Sequence, residues 1–276
     1  MRLQTVPARQ GIVWVRQGFR AFFRQPLAFA GLFATFLFAA FACALVPEVG
    51  TFIAVGLLPL VSVGFMLATR IALAGAYPTP RVFVDPLRGP RSQAIALIQL
   101  GVGYALATLA IMWLSDVLDG GAFEDLMDAL PAGQTTPEAA AAKMAADPRI
   151  ELGLLLRFAL AGLLSVPFWH APALVHWDGH GWAKALFSST IACWRNKGAF
   201  AMYSLTWFGV IMLIGIVSNL AFALLGLTQV MAVALVPISL MLSTIFYVSL
   251  YFTFADCFVG DADVEPSTPD LKGTPR

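Results

Sequence analysis

The sequence predicts an all-α membrane protein, a bundle of six transmembrane helices with two amphipathic helices lying at one membrane interface. Three observations predict it. Apolar residues make up 59% of the 276-residue chain, and the mean hydropathy is +0.79. They gather into six runs, at 27–46, 49–75, 92–115, 150–175, 199–224 and 229–255. Each has about the 20 residues needed to cross a hydrocarbon core of about 30 Å. The connectors between runs also alternate in charge. Arg2, Arg9, Arg16, Arg20 and Arg24 precede the first run. Arg81, Arg88 and Arg91 follow the second, and Lys184, Arg195 and Lys197 follow the fourth. Segment 116–149 instead holds Lys143 and Arg149 against Asp116, Asp119, Glu124, Asp125, Asp128, Glu138 and Asp147. Basic residues mark the cytoplasmic side. The expected location is therefore a bacterial inner (plasma) membrane, with both termini cytoplasmic and 116–149 outside.

The first element is the arginine-rich stretch 8–25. Ile12, Val15, Phe19, Phe22 and Phe23 share one helical side, with Trp14 near its edge, while Arg16, Arg20 and Arg24 recur every four residues on another. Pro26 ends this helix and opens the first span. A basic, aromatic amphipathic helix suits the membrane interface, where each Arg near an anionic leaflet contributes about 1 kcal/mol. It reads as a topology anchor, a lipid-binding helix or a partner dock. With no convincing cleavage site after it, the first run reads as a retained signal-anchor.

A second such element precedes the fifth span. Trp182, Leu186, Ile191 and Trp194 can share an apolar side, with Lys184 and Arg195 toward the headgroups and Asp178 as a helix start. The lipid-interface residues expected from the two helices are Trp14, Arg16, Arg20, Arg24, Trp182, Lys184, Trp194 and Arg195. The junctions Arg24-Gln25-Pro26-Leu27-Ala28-Phe29 and Arg195-Asn196-Lys197-Gly198-Ala199-Phe200 are alike. Each leads into a helical hairpin whose return span holds a proline, Pro59 or Pro237, which hints at a parallel repeat.

Between these elements, 121–130 places Phe123, Leu126, Met127 and Leu130 on one side, opposite Glu124, Asp125 and Asp128. It is expected to cap the bundle. Thr136 and Pro137 then start an Ala-rich helix, and Asp147-Pro148 restarts the chain into the fourth span by the same device. Residues 1–260 make one membrane domain. Residues 261–276, acidic and proline-rich, read as a disordered cytoplasmic tail.

The stretch Ala171-Pro172-Ala173-Leu174-Val175, with Ala185-Leu186-Phe187-Ser188-Ser189 and Arg195-Asn196, resembles a motif of uncharacterised bacterial inner-membrane proteins, the YciC-like proteins. It is also similar to the membrane domain attached to some glycerophosphodiester phosphodiesterases. The resemblance implies a helical inner-membrane bundle. It brings no catalytic residues, and a phosphodiesterase activity is not carried over.

Polar residues in the spans complete the reading. Arg70 is close enough to the cytoplasmic end of its span to snorkel. Arg157 lies about two turns inside the outer end of the fourth span, within reach of that interface, of acidic outer-loop residues or of a polar cavity. Gln99, Arg157 and Asn219 would line a pathway if they converged. Otherwise such groups are packing contacts of about 0.6 kcal/mol each. His170, His176 and His180 read as part of an aromatic belt with Trp169, Trp177 and Trp182 rather than as a metal site. Cys43, Cys193 and Cys257 form no paired motif. No nucleophile–base pair, phosphate loop or cofactor motif is present, so no catalysis, cofactor or nucleic-acid partner is expected. The sequence favours a non-catalytic protein of the lipid interface, a scaffold or envelope factor bound to anionic headgroups. A small transporter or channel, and a subunit of a homo-oligomer or larger complex, are the alternatives.

Overall fold

Prolines and short polar residues set where the helices begin. Pro26 opens α2 (Pro26–Ala44), directly after α1 (Gln10–Arg24), with Gln25 left in a non-helical conformation between them. The Thr136 hydroxyl accepts from the Ala139 amide to start α7 (Pro137–Ala146), and the Asp147 carboxylate accepts from the Arg149 amide to start α8 (Pro148–Phe168). The computed structural model describes residues 1–47, 49–130, 134–226 and 230–259. The tail at 261–276 lies outside the described residues.

The remaining helices are α3 (Gly50–Gly56), α4 (Leu58–Leu73), α5 (Arg91–Asp119), α6 (Ala122–Ala129), α9 (Ala171–Asp178), α10 (Trp182–Arg195), α11 (Lys197–Leu224) and α12 (Met231–Cys257). Two short strands, β1 (Arg2–Leu3) and β2 (Phe258–Val259), pair antiparallel and tie the N-terminal segment to the end of α12. Among the described residues six helical stretches are long and apolar enough to cross a membrane, and the fold is an all-α polytopic bundle. α3 and α4 form one span across a kink at Leu57, where Pro59 lacks an amide hydrogen. α8 and α9 form another.

The α8–α9 junction has a local cause. A continuous helix would bond the His170 amide to the Val166 carbonyl. Instead the Ser189 hydroxyl of α10 stands between them, accepting from His170 N and donating to Val166 O, each at 3.0 Å. A side chain inserted into the i→i−4 ladder opens the helix, and Pro172 begins the next segment.

The N-terminal segment, the end of α12, α1, α9 and α10 gather at one end of the bundle, the basic end. The opposite, acidic end carries α6 and α7, whose Leu126 and Ala140 pack on Ile150 of α8. α5 runs past residue 115, so Asp116 and Asp119 belong to a helix rather than to a loop.

α1 does not lie on the outside of the spans. It packs along the basic-end halves of both α11 and α12 and stands between them. A Cβ at Gly11 would collide with the Ala199 carbonyl, and one at Gly18 would sit 2.7 Å from Ser249 Cβ. Glycine at these two places is what allows the backbones to approach. Beyond Trp207, α11 presents apolar side chains such as Phe208, Ile211 and Leu220 outward.

Candidate lipid-interface site

α1 is built with two unlike faces. Its buried face is Gly11, Trp14, Val15, Gly18, Ala21 and Phe22. Trp14 is 0% exposed, packed against Phe200 and Tyr203, and its indole N–H donates to Asp256 Oδ2 at 2.7 Å. Gln10 Nε2 donates to the same oxygen at 2.6 Å. Trp14 therefore faces the interior of the bundle rather than the exposed face on which the sequence places it as a headgroup contact. The physical reason is that a buried indole N–H needs an acceptor, and inward rotation supplies the carboxylate while seating Gly11 and Gly18 at the close contacts. Ile12 and Phe23 turn outward instead, at 45% and 60% exposed. In lipid this carries no hydrophobic penalty.

The same rotation leaves Arg16, Arg20 and Arg24 exposed on the opposite face, and none forms an ion pair among the described residues. α10 is arranged likewise. Ala185, Ser189, Ala192 and Cys193 face inward, because Ser189 must reach the α8–α9 opening. Trp182, Lys184, Trp194 and Arg195 are exposed, and Lys197 Nζ stands 5.3 Å from the Trp194 ring centroid. Asp178 is the last residue of α9 rather than the start of α10. Its carboxylate is 2.9 Å from His180 Nε2. Burial and then Lys184 push the His180 pKa below its ordinary value, and Asp178 only partly offsets them.

Asn196 fastens the N-terminal segment beneath this surface. Its amide donates to the carbonyls of Gln4 and Ala192, and its Oδ1 accepts from Val6 N. Nothing in the sequence links Asp256 to Gln10 and Trp14, or Asn196 to Gln4 and Val6, partners that lie 190 or more residues away. The one available signal is that Asp256 is the single acidic residue of α12.

Gln99, Arg157 and Asn219 do not converge. Gln99 is exposed on α5, and its helix register puts it about 26 Å from Asp116. Arg157 pairs with Asp116 and, at 2.7 Å, with Asp119, whose side chain is 0% exposed, and its guanidinium lies over the Phe123 ring. Asn219 is exposed and approaches Met231. A different group gathers mid-bundle: Ser62, Tyr104, Ser165 and Tyr247 line a cavity of about 150 Å³ beside Pro59. His170 leaves the expected aromatic belt. It is fully buried among Phe200, Phe254 and Phe258. No group of three or more His, Cys, Asp or Glu side chains among the described residues is placed to hold a metal ion.

No family model matches the chain, and no solved structure matches it. A probable inner membrane protein of Burkholderia thailandensis is similar, at 36% identity over 278 aligned positions that cover 99% of each chain. The likeness runs from end to end, through α1, the six spans and the acidic-end helices alike. The chain belongs to the family of that probable inner membrane protein.

Proposed function

We propose that the protein is a non-catalytic integral protein of the bacterial inner membrane that holds anionic phospholipid at the cytoplasmic interface, as a scaffold or envelope factor. One observation carries the reading: α1 is bolted into the bundle through Trp14 and Asp256 in the orientation that leaves Arg16, Arg20 and Arg24 outward and without an ion pair among the described residues. A helix that only fixed topology would need the charges but not the bolt. Three arginines at about 1 kcal/mol each favour anionic over zwitterionic headgroups by about 3 kcal/mol at low salt, and less as salt screens them. Charge alternation supports placing the basic end in the cytoplasm, and the relative's name supports the inner membrane. The likeness to YciC-like proteins and to the membrane domain of some glycerophosphodiester phosphodiesterases agrees with a helical inner-membrane module.

The test is native mass spectrometry of protein released from nanodiscs of mixed phosphatidylcholine and phosphatidylglycerol. The retained lipid should be enriched in phosphatidylglycerol, and R16Q/R20Q/R24Q should lose most of that enrichment. Unchanged enrichment in the triple variant refutes the reading. A small transporter is the second reading, favoured by the mid-bundle cavity at Pro59 with its two tyrosines and two serines.

A further inference from the structure

At the basic end a separate cavity of about 430 Å³ opens between α4, α9 and α12, lined by Arg70, Trp177, Tyr251, Phe254 and Phe258 among others. Its three polar side chains are all hydrogen-bond donors. Arg70 makes no ion pair or hydrogen bond among the described residues, and Trp177 Nε1 and the Tyr251 hydroxyl have no hydrogen-bond partner there. Asp85 is near enough to act electrostatically on the neighbouring His176, but its ion pair is with Arg88, at 3.8 Å. The rest of the lining is Met1, whose ammonium is already paired with the Asp178 carboxylate at 3.0 Å, and the apolar Phe254, Ala255 and Phe258.

Arg70 itself is exposed at the cavity mouth, as a snorkelling arginine would be, but the two unpartnered donors beside it are more than snorkelling needs. A planar guanidinium presents a fork of N–H groups that matches two oxygens of one phosphate, and the indole N–H and phenol O–H stand in the same cavity as further donors. Basic pockets between transmembrane helices at the headgroup level bind phosphate-bearing lipid in this way. We infer that the Arg70–Trp177–Tyr251 cavity is a phosphate site, distinct from the α1 arginine stripe and filled by the phosphodiester of a phospholipid whose glycerol and first methylenes rest on Phe254 and Phe258. The site extends the proposed lipid role, on which it rests, from a diffuse charged surface to a single bound headgroup.

The experiment uses delipidated full-length protein in detergent, titrated separately with phosphatidylglycerol and with inorganic phosphate, and read by native mass spectrometry and by the shift in melting temperature. Wild type should hold one phosphatidylglycerol that survives detergent exchange. R70Q should weaken that adduct about tenfold, with R70K in between, because the charge survives and the fork does not. W177F removes one donor without changing charge and should also weaken it, which keeps the test decisive if R70Q does not fold. R16Q/R20Q/R24Q should keep this adduct while losing the bulk enrichment, so the two proposals fail separately. Stabilisation by inorganic phosphate alone, lost in R70Q, would keep the phosphate site and overturn its lipid source. Equal retention of phosphatidylglycerol by wild type, R70Q and W177F overturns the site.

Discussion

Substituting Asp256 by alanine should release α1 from the bundle. The cost follows from two hydrogen bonds to one carboxylate oxygen, from Trp14 Nε1 at 2.7 Å and Gln10 Nε2 at 2.6 Å. Gln10 is half-buried and can turn to water, so its loss counts for little. Trp14 is 0% exposed and cannot. Losing a hydrogen bond to a charged acceptor and leaving a buried donor unsatisfied amounts to about 3 kcal/mol, or about a hundredfold in the docking equilibrium. D256N keeps an oxygen that can accept both bonds and should cost about 1 kcal/mol. The assay is maleimide labelling of a cysteine placed at the buried Val15, with thermal melting of the same variants. Labelling should be slow in wild type and D256N and fast in D256A. In a W14F background the effect of D256A should shrink, since the donor is already gone. Equal labelling in wild type and D256A, or full additivity of W14F and D256A, would refute the reasoning.

S189A removes the hydroxyl shared by His170 N and Val166 O and should lower stability by about 2–3 kcal/mol, read as a lower melting temperature, with S189T milder than S189A. R157Q strands the buried Asp119 carboxylate and should cost about 3 kcal/mol or more, whereas D119N/R157Q should recover part of it. Burial pushes the Cys193 thiol up to about 12, so in a C43A/C257A background its maleimide labelling should stay slow from pH 7 to 9 and appear only on unfolding.

The six spans are legible in the sequence because length and hydropathy decide them without tertiary information. The rotation of α1 is not. Sorting residues by hydrophobicity puts Ile12 and Phe23 inside and Trp14 at the edge, a rule that assumes water outside. In a membrane the inward face is marked by closeness of approach, at Gly11, Gly18 and Ala21, and by polar groups that need partners, Trp14 among them. Ser189 obeys the same rule. A hydroxyl on an apparently polar face is the piece that fits the opened α8–α9 ladder. Arg157 was readable in part, since acidic residues near 116–119 lie within its reach, but only the extension of α5 to Asp119 sets both carboxylates against one guanidinium. Gln99 and Asn219 show the limit, because a list of polar span residues carries no information on which of them meet.

The central claim is that α1 is locked by one face and meets headgroups with the other. The most direct measurement is a nitroxide scan through residues 10–24 in phosphatidylglycerol-containing membranes, reading accessibility to oxygen and to a water-soluble nickel chelate. The account predicts helical periodicity, with both collisions minimal at 14, 15, 18 and 22 and labels at 16, 20 and 24 at headgroup depth. Uniform chelate accessibility along the segment, or a minimum centred on 12, 19 and 23, would contradict it.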